Sequence, residues 1–332
     1  MKKNVIICCS HLYVPTALTF ILSHPDITHY IYTNNHSIKL LFEGSLLVDS
    51  VLEEPQGLDS FNLFKVHKLK RWIKQQFTEI KPDTILFFHD GYCMPINWYM
   101  KNQKDNVQIN YCPTYVDNIK RAHINSFIQI CSILKDKVLW GINTIPIIGL
   151  NKMIIPYLDP SFFSLIGANI FKIPVDKQLI KNNINLICPT ISGINNDAIV
   201  FLQCEIVGYS ISEEVYINYI NRIISSLDTS KCLFKAKPGR TKCYGNENAL
   251  IKIPDYISAS LILNNFKVVI GTSSTVLAQS ANEGVLAISL MELIPTQDEK
   301  EKKYVIDYLK NLSSYIKFPK TFEELNELIN NA

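Results

Sequence analysis

The sequence predicts an α/β protein built from two doubly wound, Rossmann-like domains, and three observations carry that prediction. Short runs rich in β-branched residues alternate with amphipathic stretches of helical period through both halves. Some of the runs are apolar without interruption, such as TILFF within 83–90 and VVI within 267–271, as in strands buried on both faces of a parallel sheet. A length of 332 residues suits two domains of roughly 150 residues better than one core.

In chain order, NVIICC (4–9) is expected as a strand, PTALTFILS (15–23) as a helix, and HYIYT (29–33) and SLLVDSVLE (45–53) as strands. The segment 61–80 places Leu63, Val66, Leu69, Ile73 and Phe77 at helical spacing. Strands follow at 83–90 and 107–112. The apolar tract at 144–158 is cut by Pro146, Gly149, Asn151, Lys152 and Pro156, and reads as loop, as interdomain packing or as a surface touching a membrane. The alternation then resumes with strands at 197–207, 232–237, 267–271 and 285–290 and helices at 212–227 and 273–284. Ser212 and the acids after it mark a helix start, Gly284 a helix end, and two more helices close the chain. The expected domains are 1–160 and 161–332.

Composition removes several classes of function. Hydrophobic residues at 47% exclude disorder, and a net charge of +3 implies no general attraction to nucleic acid, so any anion site is local. Several of the nine cysteines lie in apolar runs, among them Cys8, Cys9 and Cys204, and read as small buried hydrophobes in a reduced, cytoplasmic compartment. The apolar run from Val5 to Cys9 is too short for a secretory leader, and no stretch approaches the ~20 apolar residues of a spanning helix. There is no GxGxxG after a strand, no GxxxxGK[ST], no zinc-spaced Cys/His cluster and no Asp-x-Asp pair. The expectation is a metal-free protein without a resident cofactor.

Ligands of open α/β sheets bind beyond the carboxyl ends of the strands, so polar residues there are the candidates. The first group is His89-Asp90-Gly91, after TILFF. A carboxylate at the rim of a buried strand can become basic enough to take a proton from a hydroxyl; Asp90 can also simply cap the following helix. The second is the strand and turn at 234–240, carrying Lys235, Lys237 and Arg240. Lys235 and Lys237 share a face if the strand persists, and with Arg240 they suit a phosphate or carboxylate; a solvated charge run is the plainer reading. The third is Gly271 followed by Thr272, Ser273, Ser274 and Thr275 at a strand-to-helix turn. Amides at a helix start and adjacent hydroxyls favour phosphate, although a single hydroxyl would suffice for capping.

These three motifs, in this order, together with the opening VIICCSHLYVPTALTFI, resemble the bacterial GT-B sialyltransferases of glycosyltransferase family 52 and the related polysialyltransferases. The resemblance implies two Rossmann-like domains facing across a cleft and a metal-independent, inverting transfer of sialic acid or a related nonulosonic acid. The donor would be a CMP-sugar co-substrate held by the second domain, and the acceptor a lipid-linked surface glycan held by the first. Asp90 would be the general base; Ser273 and Ser274 would bind the CMP phosphate, and His11, His89 and Gly91 would bind substrate, His11 touching the acceptor or the donor carboxylate or else making a structural polar contact. The family's His-Pro motif is absent, because all seven histidines lie at or before His123, and Lys237 stands where its histidine would be, as an electrostatic clamp on the departing phosphate or a proton donor to it. Other donors remain open (CMP-Kdo, pseudaminic or legionaminic acid, a polyol phosphate), as do a sugar-nucleotide epimerase and a non-catalytic scaffold. The run KLKRWIK (68–74) permits peripheral contact with the inner face of a membrane.

Overall fold

The computed structural model describes residues 1–332 except 12, 56–62, 89–92, 104–106, 113–126, 149–153, 160, 190–196, 209, 238–241 and 264–265. The chain divides into two compact units, Met1–Ile180 and Lys181–Ala332.

The strands of the first unit are β1 (Lys3–Ile7), β2 (Thr28–Thr33), β3 (Ser50–Glu53), β4 (Thr84–Phe88), β5 (Gln108–Cys112), the hairpin β6 (Thr144–Ile148) and β7 (Ile154–Leu158), and β8 (Asn169–Ile170). Between them run α1 (Val14–Ser23), α2 (His36–Glu43), α3 (Leu63–Ile80), α4 (Met94–Asn102), α5 (Phe127–Trp140) and α6 (Ser161–Leu165). Six strands form a parallel sheet in the order β3-β2-β1-β4-β5-β8. Side chains alternate between the faces of a strand. Val5, Ile7, Ile85, Phe87 and Ile109 accordingly pack with Val66, Ile73 and Phe77 of α3, Ile96 of α4 and Trp140 of α5. Right-handed crossovers place α1 and α2 over the other face.

The second unit begins within α7 (Lys177–Asn182) and continues through α8 (Ile184–Ile187), β9 (Ile199–Leu202), α9 (Glu213–Ser225), β10 (Cys232–Lys235), β11 (Ile251–Ile253), α10 (Ala259–Ile262), β12 (Val268–Gly271), α11 (Thr275–Asn282), β13 (Leu286–Ser289), α12 (Glu299–Leu312) and α13 (Phe322–Asn330). Its parallel sheet has the order β11-β10-β9-β12-β13. On one face Phe201, Phe234, Ile270 and Ile288 pack with Tyr216, Ile220 and Ile223 of α9 and Leu325 of α13. Ser212 caps α9, its Oγ accepting from Val215 N at 3.3 Å, and Glu213 and Glu214 follow in the first turn.

The expected α/β class, with two Rossmann-like halves, is borne out by the two parallel sheets. Several expected boundaries move. The strand read at 45–53 is confined to Ser50–Glu53 and α2 lies before it, started by Asn35, whose Oδ1 accepts from Ser37 N and Ile38 N. The tract at 144–158 is an antiparallel hairpin, with Pro146 paired opposite Pro156 in its register. The strand read at 197–207 ends at Leu202. The units divide at residue 180, after the expected 160, because β8 pairs with β5 and so keeps residues 161–170 in the first sheet. Among the described residues no helix is long and apolar enough to cross a membrane.

Phe234 is 1% exposed in the centre of the second core. Phe234→Ala is expected to cost about 3–5 kcal/mol, read as a lowered midpoint for the second unit in urea denaturation.

Candidate functional site

In each sheet the strand order reverses once, between β1 and β4 in the first unit and between β9 and β12 in the second. The loops leaving such a pair of strands diverge, and the recess between them is where open α/β sheets bind ligands.

At the reversal of the first sheet, the loop after β1 holds Cys9, Ser10 and His11. His11 is half-buried, and its carbonyl accepts from Val14 N at 3.4 Å in the turn that opens α1. His89, Asp90 and Gly91 follow the end of β4 directly but lie outside the described residues. Cys9 and Cys93, the latter just before α4, face one another there with Cα atoms 7.3 Å apart. Cys8, beside Cys9, is buried, its Sγ donating to Ser10 O at 3.8 Å.

At the reversal of the second sheet stands the 271–275 turn. Gly271 closes β12 against β9: a Cβ there would lie 3.2 Å from Leu202 Cβ. Ser289 Oγ donates to Thr272 O at 2.7 Å and Leu290 N to Gly271 O at 2.8 Å, fixing the turn to the end of β13. Thr272 is buried and donates from Oγ1 to Cys204 Sγ at 3.2 Å, so its hydroxyl serves the interior. Ser274 is the N-cap of α11, its Oγ accepting from Val276 N at 3.4 Å, as the capping reading requires. Ser273 is half-buried and Thr275 exposed. The backbone N–H groups of Ser273, Ser274 and Thr275 have no acceptor among the described residues. The other three helices of eight or more residues in this unit each carry two acids in the first turn, whereas α11 carries none. Its positive end is left to solvent or to an anion.

The basic segment contributes unevenly. β10 ends at Lys235, so the alternation that would set Lys235 and Lys237 on one face does not reach Lys237. Lys235 is 2% exposed, and its Nζ donates to the carbonyls of Ala236 and, at 3.2 Å, Asp255. Lys237 is exposed; its Nζ pairs with Glu205 at 2.7 Å and its N–H donates to Gln203 Oε1 at 3.0 Å. Arg240 lies outside the described residues. Gln203 and Glu205 were hidden from the sequence reading by the overlong strand at 197–207. Ending that strand at the polar Gln203 would have placed both at the sheet's carboxyl edge.

Beneath the turn lies a buried polar group. Tyr216 Oη donates to Glu247 Oε1 at 2.7 Å and Tyr244 N to Glu247 Oε2 at 2.9 Å, with Glu247 fully buried. Burial pushes the Glu247 carboxyl up to about 7 and the Cys204 thiol up to about 11, and draws the Lys235 ammonium down to about 8. No sequence signal marks Glu247, which stands in a polar stretch, GNENA. Among the described residues no group of three His, Cys, Asp or Glu side chains is placed to hold a metal ion.

No protein-family model and no curated protein matches the chain. Among solved structures it is similar to a UDP-GlcNAc 2-epimerase from Methanocaldococcus jannaschii, at 12% identity and TM-score 0.44 over 99% of this chain and 92% of that one. It is also similar to a glycosyltransferase from Streptomyces nogalater, at 9% identity and TM-score 0.45 over 100% and 91% of the two chains. A third likeness is to a UDP-GlcNAc 2-epimerase from Neisseria meningitidis, at 11% and 0.39 over 100% and 90%. Likenesses at these values assign no activity.

Glu247 and Lys235 each contribute a pH dependence of stability. The unfolded chain gives up the Glu247 proton near 4.5 while the folded protein keeps it to about 7, so stability falls as pH rises through that window and is level above it. Lys235 keeps its proton to about 10.5 unfolded and to about 8 folded, so its contribution rises between those values. Urea denaturation of wild type against Glu247→Gln is expected to show the wild type losing ground between pH 5 and 7 by at most about 1.4 kcal/mol per pH unit. A difference that stays flat across that range would refute the buried neutral carboxyl.

Proposed function

We propose that the chain is a glycosyltransferase whose second unit holds the phosphate of a nucleotide-linked sugar at the start of α11. One observation carries this reading: an uncompensated helix N-terminus, with Ser273 and Thr275 beside it, stands where the second sheet reverses its strand order. Position, backbone donors and dipole all favour an anion at that place.

The finer reading takes its chemistry from the family resemblance. The donor is a CMP-linked nonulosonic acid, and the acceptor a hydroxyl of a lipid-linked surface glycan. Asp90 takes the proton of that hydroxyl while its oxygen attacks the anomeric carbon; the bond from that carbon to the phosphate oxygen breaks, and the configuration inverts. CMP departs with its charge met by the α11 amides, Arg240 and Lys237, fixed donors that act where negative charge develops. Lys237 takes the place of the family's histidine as an electrostatic clamp. His11 then touches the acceptor or the donor carboxylate, and His89 and Gly91 bind substrate.

Thermal unfolding with added CMP, UMP, GMP, UDP or ADP tests the donor. CMP is expected to stabilise the protein, by about 2.7 kcal/mol at one hundred times its dissociation constant. Ser273→Ala and Lys237→Ala are expected to remove most of that gain while leaving the unliganded melting temperature in place. Stabilisation by UDP alone would replace CMP as the donor nucleotide, and no stabilisation by any nucleotide would remove the phosphate site. Ser274→Ala is a separate case: loss of the cap is expected to cost about 1 kcal/mol without ligand, read by urea denaturation.

A further inference from the structure

Helices α3, α4 and α5 form one layer over the first sheet. Lys70 of α3 donates from Nζ to Leu139 O at 2.7 Å and lies over the rings of Trp98 of α4 and Trp140 of α5, at 5.0 and 5.4 Å. Phe77 of α3 and Tyr99 of α4 pack with ring centroids 4.3 Å apart. The layer is strongly basic. α3 supplies five Lys and Arg against Glu79, α4 supplies Lys101, and α5 supplies Lys135 and Lys137 against Asp136. Eight cations against two carboxylates give +6 in a chain whose net charge is +3, so the remainder carries −3.

The same layer exposes apolar side chains. Ile130, Leu134 and Val138 of α5 are 43%, 53% and 76% exposed, at a spacing of four residues that sets them in one stripe. At the start of α3, Leu63 and Phe64 are 67% and 82% exposed, with Lys68 and Arg71 exposed further along the helix. A basic surface alone fits any polyanion. An outward apolar stripe beside it fits the boundary of a bilayer, where acyl chains take the apolar residues and anionic headgroups the cations.

We infer that the outward side of α3 and α5 docks the protein on an anionic lipid bilayer, Ile130, Leu134 and Val138 entering the headgroup boundary while Lys68, Arg71 and Lys137 pair with lipid phosphates. This inference is independent of the donor and of the reaction.

The test is cosedimentation of the full chain with vesicles of phosphatidylglycerol mixed into phosphatidylcholine, beside phosphatidylcholine alone. Wild type is expected to pellet with the anionic vesicles and to stay in solution with the neutral ones. Leu134→Glu with Val138→Glu, and Lys68→Glu with Arg71→Glu, are each expected to weaken partition at least about tenfold; all four positions are exposed, so the fold is kept, as circular dichroism would verify. Lys300→Glu with Lys303→Glu, the same charge change on exposed positions of α12, is expected to leave partition unchanged. The inference is overturned if wild type ignores anionic vesicles, or if the control pair weakens binding as much as the α3 pair. It is likewise overturned if the α5 pair binds vesicles undiminished while all forms bind single-stranded RNA, which would make the face a polyanion surface. A wild-type dimer in size exclusion that the α5 pair dissociates, with vesicle binding unchanged, would assign the stripe to a second copy.

Discussion

A parallel sheet can be connected only by crossovers that pass over its faces, and each crossover brings a helix to rest beside the strand it leaves. Where two neighbouring strands send their crossovers in opposite directions, their carboxyl ends open onto a gap that no helix fills. β1 and β4 make such a pair, and so do β9 and β12. The loops leaving these four strands contain His11, the 89–91 motif, Glu205 and the 271–275 turn. The close approach of Gly271 to Leu202 holds the edge of the second gap.

The second gap rests on a polar floor within an otherwise apolar core. Thr272, Cys204, Tyr216 and Glu247 are all buried, and each has a partner. The hydrogen bonds within this group limit the cost of enclosing it, and the raised Glu247 carboxyl shows that the charged form is disfavoured there. The arrangement also spends the Thr272 hydroxyl. Of the hydroxyl residues after Gly271, Ser273 and Thr275 are the ones whose side chains no described hydrogen bond engages.

Much of this was legible in the sequence. Uninterrupted apolar runs gave the parallel strands, Ser212 and its following acids gave the start of α9, and the strand-end rule led to the 271–275 turn. What escaped was set by tertiary context. α2 is short, and its Asn35 cap carries no distinctive neighbours. The hairpin at 144–158 was obscured by two prolines that face each other in the register. Lys235 reads as a ligand-facing cation in its pattern, but its strand buries it, and two main-chain carbonyls take its ammonium. Glu247 lies in a short 3-10 turn whose composition suggests a solvated loop, and only the packing of α9 against that turn encloses it.

The pairing of Lys237 with Glu205 bears on what the second gap discriminates. The two side chains are 56% and 38% exposed, and a contact between such groups holds by about 1 kcal/mol or less. An anion arriving at Lys237 therefore has to exchange for a resident carboxylate. Exchange of this kind is nearly electroneutral, so a singly charged, strongly hydrated ion such as chloride gains little by it. On the proposed reading, a phosphate held both by the α11 amides and by Lys237 would gain the two contacts together. Selectivity at the proposed site would then follow from the number of donors engaged together, with Glu205 as the internal competitor of any anion at Lys237.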